Sequence, residues 1–237
     1  MKKVKTYTEE IFDNTFEQKP MIDYNNYNQI SKNTGQRDKK IMKLLSNYGI
    51  DGKYCLDVCP GTGRWLNYLK SNGANFLAAI DISQNSIDKC AELCNKIQKA
   101  DVEIEKFDLE SNYFDIVISF MALEHIRDPS NYISEIVRVI KNNGLLVMTI
   151  PNIVSFISRI RMLFGILPQA VTNDKTHIKF YTEKELVALF QPHSQIPKMI
   201  PTSFSINPLN SQSLRVPSNR FTRSLDDHLL FSVKIEK

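Results

Sequence analysis

One short stretch constrains this chain more than any other: an apolar run that turns sharply through glycines into a helical pattern. The run is Tyr54–Val58, which is typical of a buried parallel strand. Pro60, Gly61 and Gly63 follow, and glycine lets the backbone bend tightly and lets a ligand approach it closely. Strand, glycine turn and helix begin a nucleotide-binding βαβ unit, with the first N–H groups of the helix facing the ligand.

The residues around the glycines argue against a dinucleotide as that ligand. The fingerprint G-x-G-x-x-G requires a third glycine, and Leu66 stands at that position. Asp57 lies four residues before Gly61, where a carboxylate can face an ammonium group and would repel a pyrophosphate. An NAD-dependent oxidoreductase is therefore an alternative that fits this stretch poorly.

Charge is distributed unevenly along the chain. The net charge of +4 is too small to indicate nucleic acid by itself. Residues 51–150 carry a net −4, whereas residues 151–237 carry +5. A cationic ligand suits the acidic part, and a substrate bearing phosphate or carboxylate suits the basic part. Ordinary solvated surfaces explain the same distribution equally well.

The chain shows no sequence signal for secretion or membrane insertion. No apolar run follows the basic residues at the start, so we expect no signal peptide. No stretch of about 18 apolar residues occurs. The four cysteines are Cys55, Cys59, Cys90 and Cys94, and they lack the C-x-x-C spacing of zinc and redox sites. Reduced thiols in a cytoplasmic protein are the expectation.

Two more acidic residues follow predicted strands. Phe76–Ile80 is a second buried strand, and Asp81 at its end lies near the distance from Gly63 at which an acidic residue meets a ribose. Ser83 is expected to cap a helix that runs to about Gln98. A third strand is predicted at residues 102–107, ending in Asp108-Leu109-Glu110.

Residues 114–151 repeat the alternation of strand and helix. A fourth strand is predicted at about Ile116–Ser119, followed by Leu123-Glu124-His125. A helix from Ser130 shows apolar residues at i, i+3, i+4 and i+7. We expect Gly144 to end that helix and a fifth strand to follow at residues 145–150, before Pro151-Asn152.

Several of these features, in this order, resemble the class I S-adenosylmethionine-dependent methyltransferases. The resemblance rests on Asp57 with the glycine turn, on Asp81, on Leu-Glu-His after strand four, and on Pro151-Asn152 after strand five. Cys59 replaces the first glycine of the family motif, and the L-x-P-G-G signature before strand five keeps only Gly144. The resemblance implies an α/β fold: a Rossmann-like, doubly wound, mostly parallel seven-stranded sheet with an antiparallel last strand, for which residues 227–233 are the candidate.

The same resemblance implies the cofactor site. Asp81 would bind the ribose of S-adenosylmethionine, Ile82 would lie on the adenine, and Asp108 would lie near the adenine amino group. The full set of implied cofactor contacts is Asp57, Cys59, Gly61, Gly63, Asp81, Ile82, Asp108 and Leu109. No metal is expected, because Met121 replaces the first acidic residue of the E-x-x-E-H run that binds a divalent metal in ubiquinone-biosynthesis O-methyltransferases.

Two histidines are the candidate catalytic residues. His125 follows the fourth strand, at the edge where open α/β sheets place their ligands, and could act as a general base on a substrate hydroxyl. His177 lies in a His-Ile-Lys-Phe-Tyr-Thr segment that resembles one in the same branch of the family. Local hydrogen bonding that merely holds the loop is the alternative for His125.

The segments outside the sheet are expected to select the substrate. Residues 1–33, rich in aromatic side chains, are interpreted as an N-terminal lid or arm. Residues 34–237 form the methyltransferase domain, with a cap inserted at about 152–176. The cap carries apolar residues near helical spacing together with Arg159 and Arg161. It could cover a hydrophobic or lipid-linked substrate, touch a membrane surface, or pack on the core with its arginines in water.

The resemblance implies methyl transfer from S-adenosylmethionine, leaving S-adenosylhomocysteine. The favoured acceptor is an oxygen on a small molecule, sugar or glycan, as in ubiquinone-biosynthesis and bacterial glycan or sugar O-methyltransferases. Nucleic acid is not expected, because Ser119-Phe120-Met121-Ala122 stands where many nucleic-acid N-methyltransferases carry an N-P-P-Y type motif. The alternatives are a lipid or quinone-like acceptor, and a protein that binds the cofactor without transferring its methyl group.

Overall fold

The structure, a computed structural model, describes residues 35–172, 174–193, 197–205, 215–217 and 226–237, together with Glu9, Phe12, Asp13 and Asn219. Most of the predicted N-terminal lid therefore lies outside the described residues. In chain order, the helices and strands are α1 Gln36–Tyr48, β1 Tyr54–Val58, α2 Arg64–Ser71, β2 Phe76–Asp81, α3 Gln84–Cys90, β3 Lys96–Lys99, β4 Phe114–Phe120, α4 Ser130–Val139, β5 Ile140–Pro151, α5 Phe156–Leu163, α6 Gln169–Thr172, α7 Glu183–Phe190, β6 Lys198–Ile200, β7 Ser203–Ser205, β8 Arg215–Pro217 and β9 His228–Lys234.

The described strands form a seven-stranded sheet and a separate pair, β7 with β8. The order in the large sheet is β3-β2-β1-β4-β5-β9-β6. The pairs from β3 through β5 are parallel, and β9 runs antiparallel to both β5 and β6. The predicted Rossmann-like fold with an antiparallel last strand is confirmed. The strand order reverses at β1 and β4, and ligands of such sheets bind at the carboxyl ends of these strands.

Apolar side chains cover both faces of the sheet. In β1, Leu56 and Val58 belong to one core cluster with α4, whereas Cys55 belongs to a second cluster with α1 and α2. All three are fully buried. Because both faces are covered, the central strands are continuous apolar runs, and this is why the sequence could predict them.

The region after β2 differs from the prediction. Helix α3 ends at Cys90 instead of continuing to Gln98, and the third strand is Lys96–Lys99 instead of residues 102–107. This strand is at the edge of the sheet, where backbone pairing with β2 suffices and apolar side chains are not needed. Val102 and Phe107 are buried in turns that pack on the core, which explains their strand-like apolar pattern.

The junction between α4 and β5 also differs from the prediction. The helix ends at Val139, and Ile140 is already extended, with φ −75° and ψ 143°. Gly144 lies inside β5 and does not end the helix. A Cβ at this glycine would lie 2.6 Å from the side chain of Ile140 and 2.9 Å from the carbonyl oxygen of Lys141. Close packing within the strand therefore requires the glycine.

Helices α5 and α6 lie in the predicted cap insertion and follow β5 directly. Their connection exposes a run of large apolar side chains. In the part of the chain that the structure describes, no helix is long and apolar enough to cross a bilayer.

Candidate active site

A cavity of about 770 Å³ lies at the carboxyl edge of the sheet. Its walls come from six parts of the chain: the start of α1, the glycine turn after β1 with the start of α2, the end of β2, the turn after β3, the end of β4 with the turn that follows it, and residues 174–178. Phe12, one of the few described N-terminal residues, also lines it. Segments far apart in sequence therefore meet at the topological switch point of the fold.

The glycine turn has the backbone geometry that its sequence predicted. Gly61 and Gly63 have φ values of 57° and 76°, and Gly63 precedes the first residue of α2. Cys59 also has a positive φ, 64°, a conformation that glycine adopts far more easily than other residues. The cysteine thus keeps the turn of the glycine that it replaces. Cys59 and Gly61 line the cavity, whereas Gly63 positions the helix behind them.

Asp57 lies within β1 and is 2% exposed. Its neighbours in the register are Ala79 and Ile118, and it is outside the cavity lining. Burial, with the nearby Asp81 carboxylate, raises the pKa of this carboxyl well above its ordinary value. Its Oδ2 atom has no hydrogen-bond partner among the described residues. The structure therefore places Asp57 behind the glycine turn, without direct access to the cavity.

Asp81 joins the end of β2 to the glycine turn. Its carboxylate accepts hydrogen bonds from Ser83 N (2.9 Å), Ser86 Oγ (2.7 Å) and Gly61 N (3.4 Å). Burial raises the pKa of Asp81, and these hydrogen bonds partly oppose that effect. Asp81 and Ile82 both line the cavity. Ser83 caps α3 as predicted, since its side chain accepts from Ser86 N.

Asp108 and Leu109 are not brought to the cavity. The Asp108 side chain is 83% exposed and forms an ion pair of 3.0 Å with Lys96, and neither residue is part of the lining. Asp101 and Val102 line the cavity instead. The cause is the position of β3: it ends at Lys99, so the residues that follow it at the carboxyl edge are Asp101 and Val102.

The two predicted histidines come together on the cavity wall. Their ring centroids are 4.9 Å apart. The His125 Nδ1 atom lies 3.1 Å from the Thr176 carbonyl oxygen, and the His177 Nδ1 atom lies 2.7 Å from the carbonyl oxygen of Ala170. Because carbonyl oxygens only accept hydrogen bonds, each neutral ring carries its proton on Nδ1 and its lone pair on Nε2.

Backbone hydrogen bonds fix the second histidine beside the first. The carbonyl oxygen of Glu124 accepts from the N–H groups of Ile178 and Lys179, at 2.9 and 3.0 Å. The Thr176 hydroxyl donates to Asp174 and lies 3.0 Å from His125 Nδ1. Residues 174–179 are therefore attached to the turn that follows β4.

The Glu124 side chain is the most unusual group in the cavity. It is 1% exposed, and neither carboxylate oxygen has a hydrogen-bond partner within the described part of the chain. Burial raises its pKa to about 8, so the neutral acid predominates at neutral pH. His177 Nε2 lies 3.9 Å from Glu124 Oε1 and 3.8 Å from Asp174 Oδ2. An imidazolium formed there would face two carboxyl groups.

Glu124, His125 and His177 each offer one donor atom, and the three atoms lie within 4.8 Å of one another. Three such ligands can hold a transition-metal ion. The same three groups can hold and pass a proton, since imidazole is a common general base in enzymes and burial raises the pKa of the Glu124 carboxyl group to about 8. The sulfur of Met121, which also lines the cavity, is a poor ligand for a hard cation.

The cavity wall carries more acidic than basic groups. The acidic members are Asp81, Asp101, Glu103, Glu124 and Asp174, and the basic ones are Arg37, Arg64 and Arg127. Arg37 and Arg64 both form ion pairs with Asp38, which offsets part of their charge. A cationic ligand is therefore favoured, in agreement with the acidic balance of this part of the sequence.

Phe12 and Asp13 lie at the same edge. Phe12 contacts the His125 ring edge-on, with centroids 5.1 Å apart. The Asp13 carboxylate accepts from Ser83 Oγ at 2.6 Å and from Asn85 N at 3.2 Å. The lid or arm predicted for residues 1–33 stays a prediction, because most of that segment is outside the described part of the chain.

Sequence reasoning missed Asp101, Glu124 and Phe12 as lining residues. Glu124 was part of the Leu-Glu-His pattern, but nothing in the pattern indicated that its carboxyl group is buried. Asp101 was hidden by the wrong position of the third strand. Phe12 belongs to residues 1–33, whose aromatic content predicted that the segment packs on something but did not indicate which residues it contacts.

Comparison with known proteins agrees with this geometry. Over residues 32–193, well over half of the chain, the sequence matches the model of a methyltransferase domain family. A probable S-adenosylmethionine-dependent methyltransferase of Mycobacterium tuberculosis is 23% identical over 83 residues, which are 35% of this chain and 30% of that protein. A ubiquinone biosynthesis O-methyltransferase of Neisseria meningitidis is 27% identical over 101 residues, 40% of this chain and 42% of that one. The matches thus span less than half the length of either relative.

A solved structure shows the same fold over nearly the whole chain. It is a methyltransferase of Haloferax volcanii in complex with the Trm112 methyltransferase activator. The TM-score is 0.63 at 13% identity, with 99% of this chain and 100% of that chain covered. The motif at the glycine turn, the sheet order and the family match lead to one conclusion: the chain belongs to the class I S-adenosylmethionine-dependent methyltransferases, whose cofactor is S-adenosylmethionine.

Proposed function

We propose that this protein transfers a methyl group from S-adenosylmethionine to an oxygen atom of a small-molecule or glycan acceptor. One observation carries the proposal: His125 and His177, from distant parts of the chain, meet on the wall of the cavity that the glycine turn also lines. An acceptor hydroxyl bound there would have a proton acceptor beside it. Whether the acceptor is a sugar or a quinone-like molecule depends on residues 1–33 and the cap.

The cofactor would lie along the carboxyl edge of β1 and β2. Gly61 and Cys59 would let the donor approach the backbone, Asp81 would accept from the ribose hydroxyls, and Ile82 would cover the adenine. Asp101 takes the place predicted for Asp108, because it lines the cavity. Asp57, behind the turn, would add negative charge toward the ammonium of the methionine moiety when it is ionised.

Transfer of a methyl group from a sulfonium is an in-line displacement with a good leaving group. The protein mainly has to align donor and acceptor and to exclude water. A neutral hydroxyl must lose its proton as its oxygen attacks, and we assign that proton to His177 Nε2. The Asp174 carboxylate, 3.8 Å from Nε2, would stabilise the imidazolium. His125 would orient the acceptor.

We propose that Glu124, His125 and His177 accept and donate protons and that no bound metal is needed. A chelator separates the two roles. Full activity after dialysis against EDTA supports the proton role. Loss of activity that a divalent ion restores would instead assign Glu124, His125 and His177 to a metal site.

The test is transfer of labelled methyl from S-adenosylmethionine to a panel of hydroxylated acceptors. His177→Gln is expected to lower kcat by roughly 10²- to 10⁴-fold and to leave S-adenosylhomocysteine binding, measured by calorimetry, unchanged. His125→Gln should raise KM for the acceptor as well. His193→Gln is the matched control, because His193 follows α7 and is outside the cavity lining.

Two results would overturn the proposal. Methyl transfer to nitrogen or carbon acceptors alone would show that the acceptor atom is not oxygen. Binding of S-adenosylmethionine without transfer to any acceptor would favour a cofactor-binding protein without transferase activity.

A further inference from the structure

An exposed apolar surface lies at the end of α5. It consists of Met162, Leu163, Phe164, Ile166 and Leu167, which we call the apolar tip. The side chains of Leu163 and Phe164 are 79% and 77% exposed, and the other three are between 45% and 59% exposed. Large apolar side chains are seldom exposed in such contiguous groups without a binding role.

The backbone of the tip is held in place by its own hydrogen bonds. Ile166 N donates to Arg161 O at 2.9 Å, and Gly165 N donates to Met162 O at 3.0 Å. Gly165 has φ 68°, so this is a Schellman helix end. Arg161 Nε also donates to Leu167 O at 2.9 Å. The tip is therefore a formed turn that presents its apolar side chains outward.

Charge on the segment that carries the tip has one sign. Residues 153–173 contain Arg159 and Arg161 and no acidic residue, and Arg159 is exposed. The next two charged residues, Asp174 and Lys175, are of opposite sign. An apolar surface on a segment whose own charges are all cations complements an anionic lipid headgroup layer over hydrocarbon.

The tip is connected to the active site by a short path. Helix α6 begins two residues after Leu167, and its Ala170 carbonyl accepts from His177 Nδ1 at 2.7 Å. Ile178, on the cavity wall, is itself 48% exposed. A surface that binds the apolar tip would therefore lie near the opening of the cavity.

We propose that the apolar tip docks the protein on the surface of an anionic lipid bilayer, with Leu163 and Phe164 entering the interface. This docking goes beyond methyl transfer and does not depend on it. Lipid is preferred to a protein partner because the charges around the tip are exclusively basic over residues 153–173.

The test is cosedimentation of the full chain with vesicles. Binding is expected to vesicles of phosphatidylcholine mixed with phosphatidylglycerol, and it should weaken with added salt. The double variant Leu163→Ser/Phe164→Ser should reduce the bound fraction at equal lipid by at least about tenfold, because two exposed apolar side chains no longer enter the interface. Val187→Ser, an exposed apolar residue on α7, is the matched control and should bind like the wild type.

A second measurement separates insertion of the tip from general attraction of a basic chain. Phe164→Trp should shift its tryptophan emission to the blue when the mixed vesicles are added, and the native Trp65, 8% exposed, supplies the background spectrum. Absence of vesicle binding, or equal binding of the double variant and the wild type, would overturn the proposal. Self-association or binding to a protein activator that the double variant abolishes, without vesicle binding, would reassign the tip to a protein interface.

Discussion

At the scale of single residues, the site depends on a carboxyl group that burial keeps neutral. Glu124 is 1% exposed, and its pKa is raised to about 8. The ordinary value, 4.5, applies to the unfolded chain. The folded protein therefore binds this proton more tightly than the unfolded chain does. The stability that this difference contributes is fully present below the unfolded pKa and is lost as the pH rises through the folded pKa.

The sign of the resulting pH dependence can be tested with Glu124→Gln. Between about pH 4.5 and 8 the wild type should lose stability as the pH rises, by at most roughly 1.4 kcal/mol per pH unit. Glutamine cannot ionise, so the free energy of unfolding of the variant should increase relative to that of the wild type over the same range. Urea unfolding at several pH values measures the difference.

The matched control is Glu92→Gln, because Glu92 lies on the surface of the short turn after α3. A constant difference between Glu124→Gln and the wild type across this range would contradict the buried, neutral carboxyl group.

At the scale of elements, two glycines determine where helices end and strands begin. Gly49 follows α1 with φ 86°, and its N–H donates to the Leu45 and Ser46 carbonyls. Gly73 follows the end of α2 with φ 87°, and its carbonyl accepts from Gly52 N at 2.8 Å. Each glycine lies shortly before a strand, β1 or β2, whose carboxyl end is part of the proposed cofactor site.

These glycines form a comparable pair, because their φ values agree and their surroundings differ. Alanine at position 49 would meet no atom within 4 Å, whereas at position 73 its Cβ would collide with the Asp51 carboxylate. Gly49→Ala should cost about 1 kcal/mol for the positive φ. Gly73→Ala should cost more, since Asp51 must also move. Equal losses in urea unfolding would show that Asp51 yields freely.

At the scale of the whole molecule, the edge strand β3 determines which acidic residue reaches the cavity. Its register with β2, from Ala78 with Lys96 to Asp81 with Lys99, ends the strand just before Asp101. Asp108 is thereby left on the surface with Lys96. The register of the sheet thus brings Asp101 to the cavity and leaves Asp108, the residue that the sequence suggested, outside it.

This choice predicts opposite outcomes for two conservative variants. Asp101→Asn should weaken S-adenosylhomocysteine binding about tenfold, because a charge-assisted hydrogen bond is lost. Its Oδ1 can still accept from Glu103 N, as it does at 3.0 Å in the native chain. Asp108→Asn should leave the Kd unchanged. Calorimetry that finds the reverse order would return the adenine site to Asp108.

Much of the fold and of the candidate site could be predicted from the sequence, because the residues that form each feature are neighbours in the chain. Short runs of consecutive residues encode three features: the strand Tyr54–Val58, the turn at Gly61 and Gly63, and the acidic end of β2. They can be recognised because buried parallel strands are continuous apolar runs and tight turns need glycine. The family follows from these motifs and their order.

The fold, the glycine turn and the family to which the chain belongs therefore follow from the amino-acid sequence alone. The position of β3 at Lys96–Lys99 depends on its pairing with β2 in the folded chain, because an edge strand pairs through its backbone and leaves little pattern in its side chains. Packing of the folded chain also brings His125 beside His177 and buries Glu124. These contacts join segments that are distant in the chain, so the pattern of neighbouring residues does not predict them.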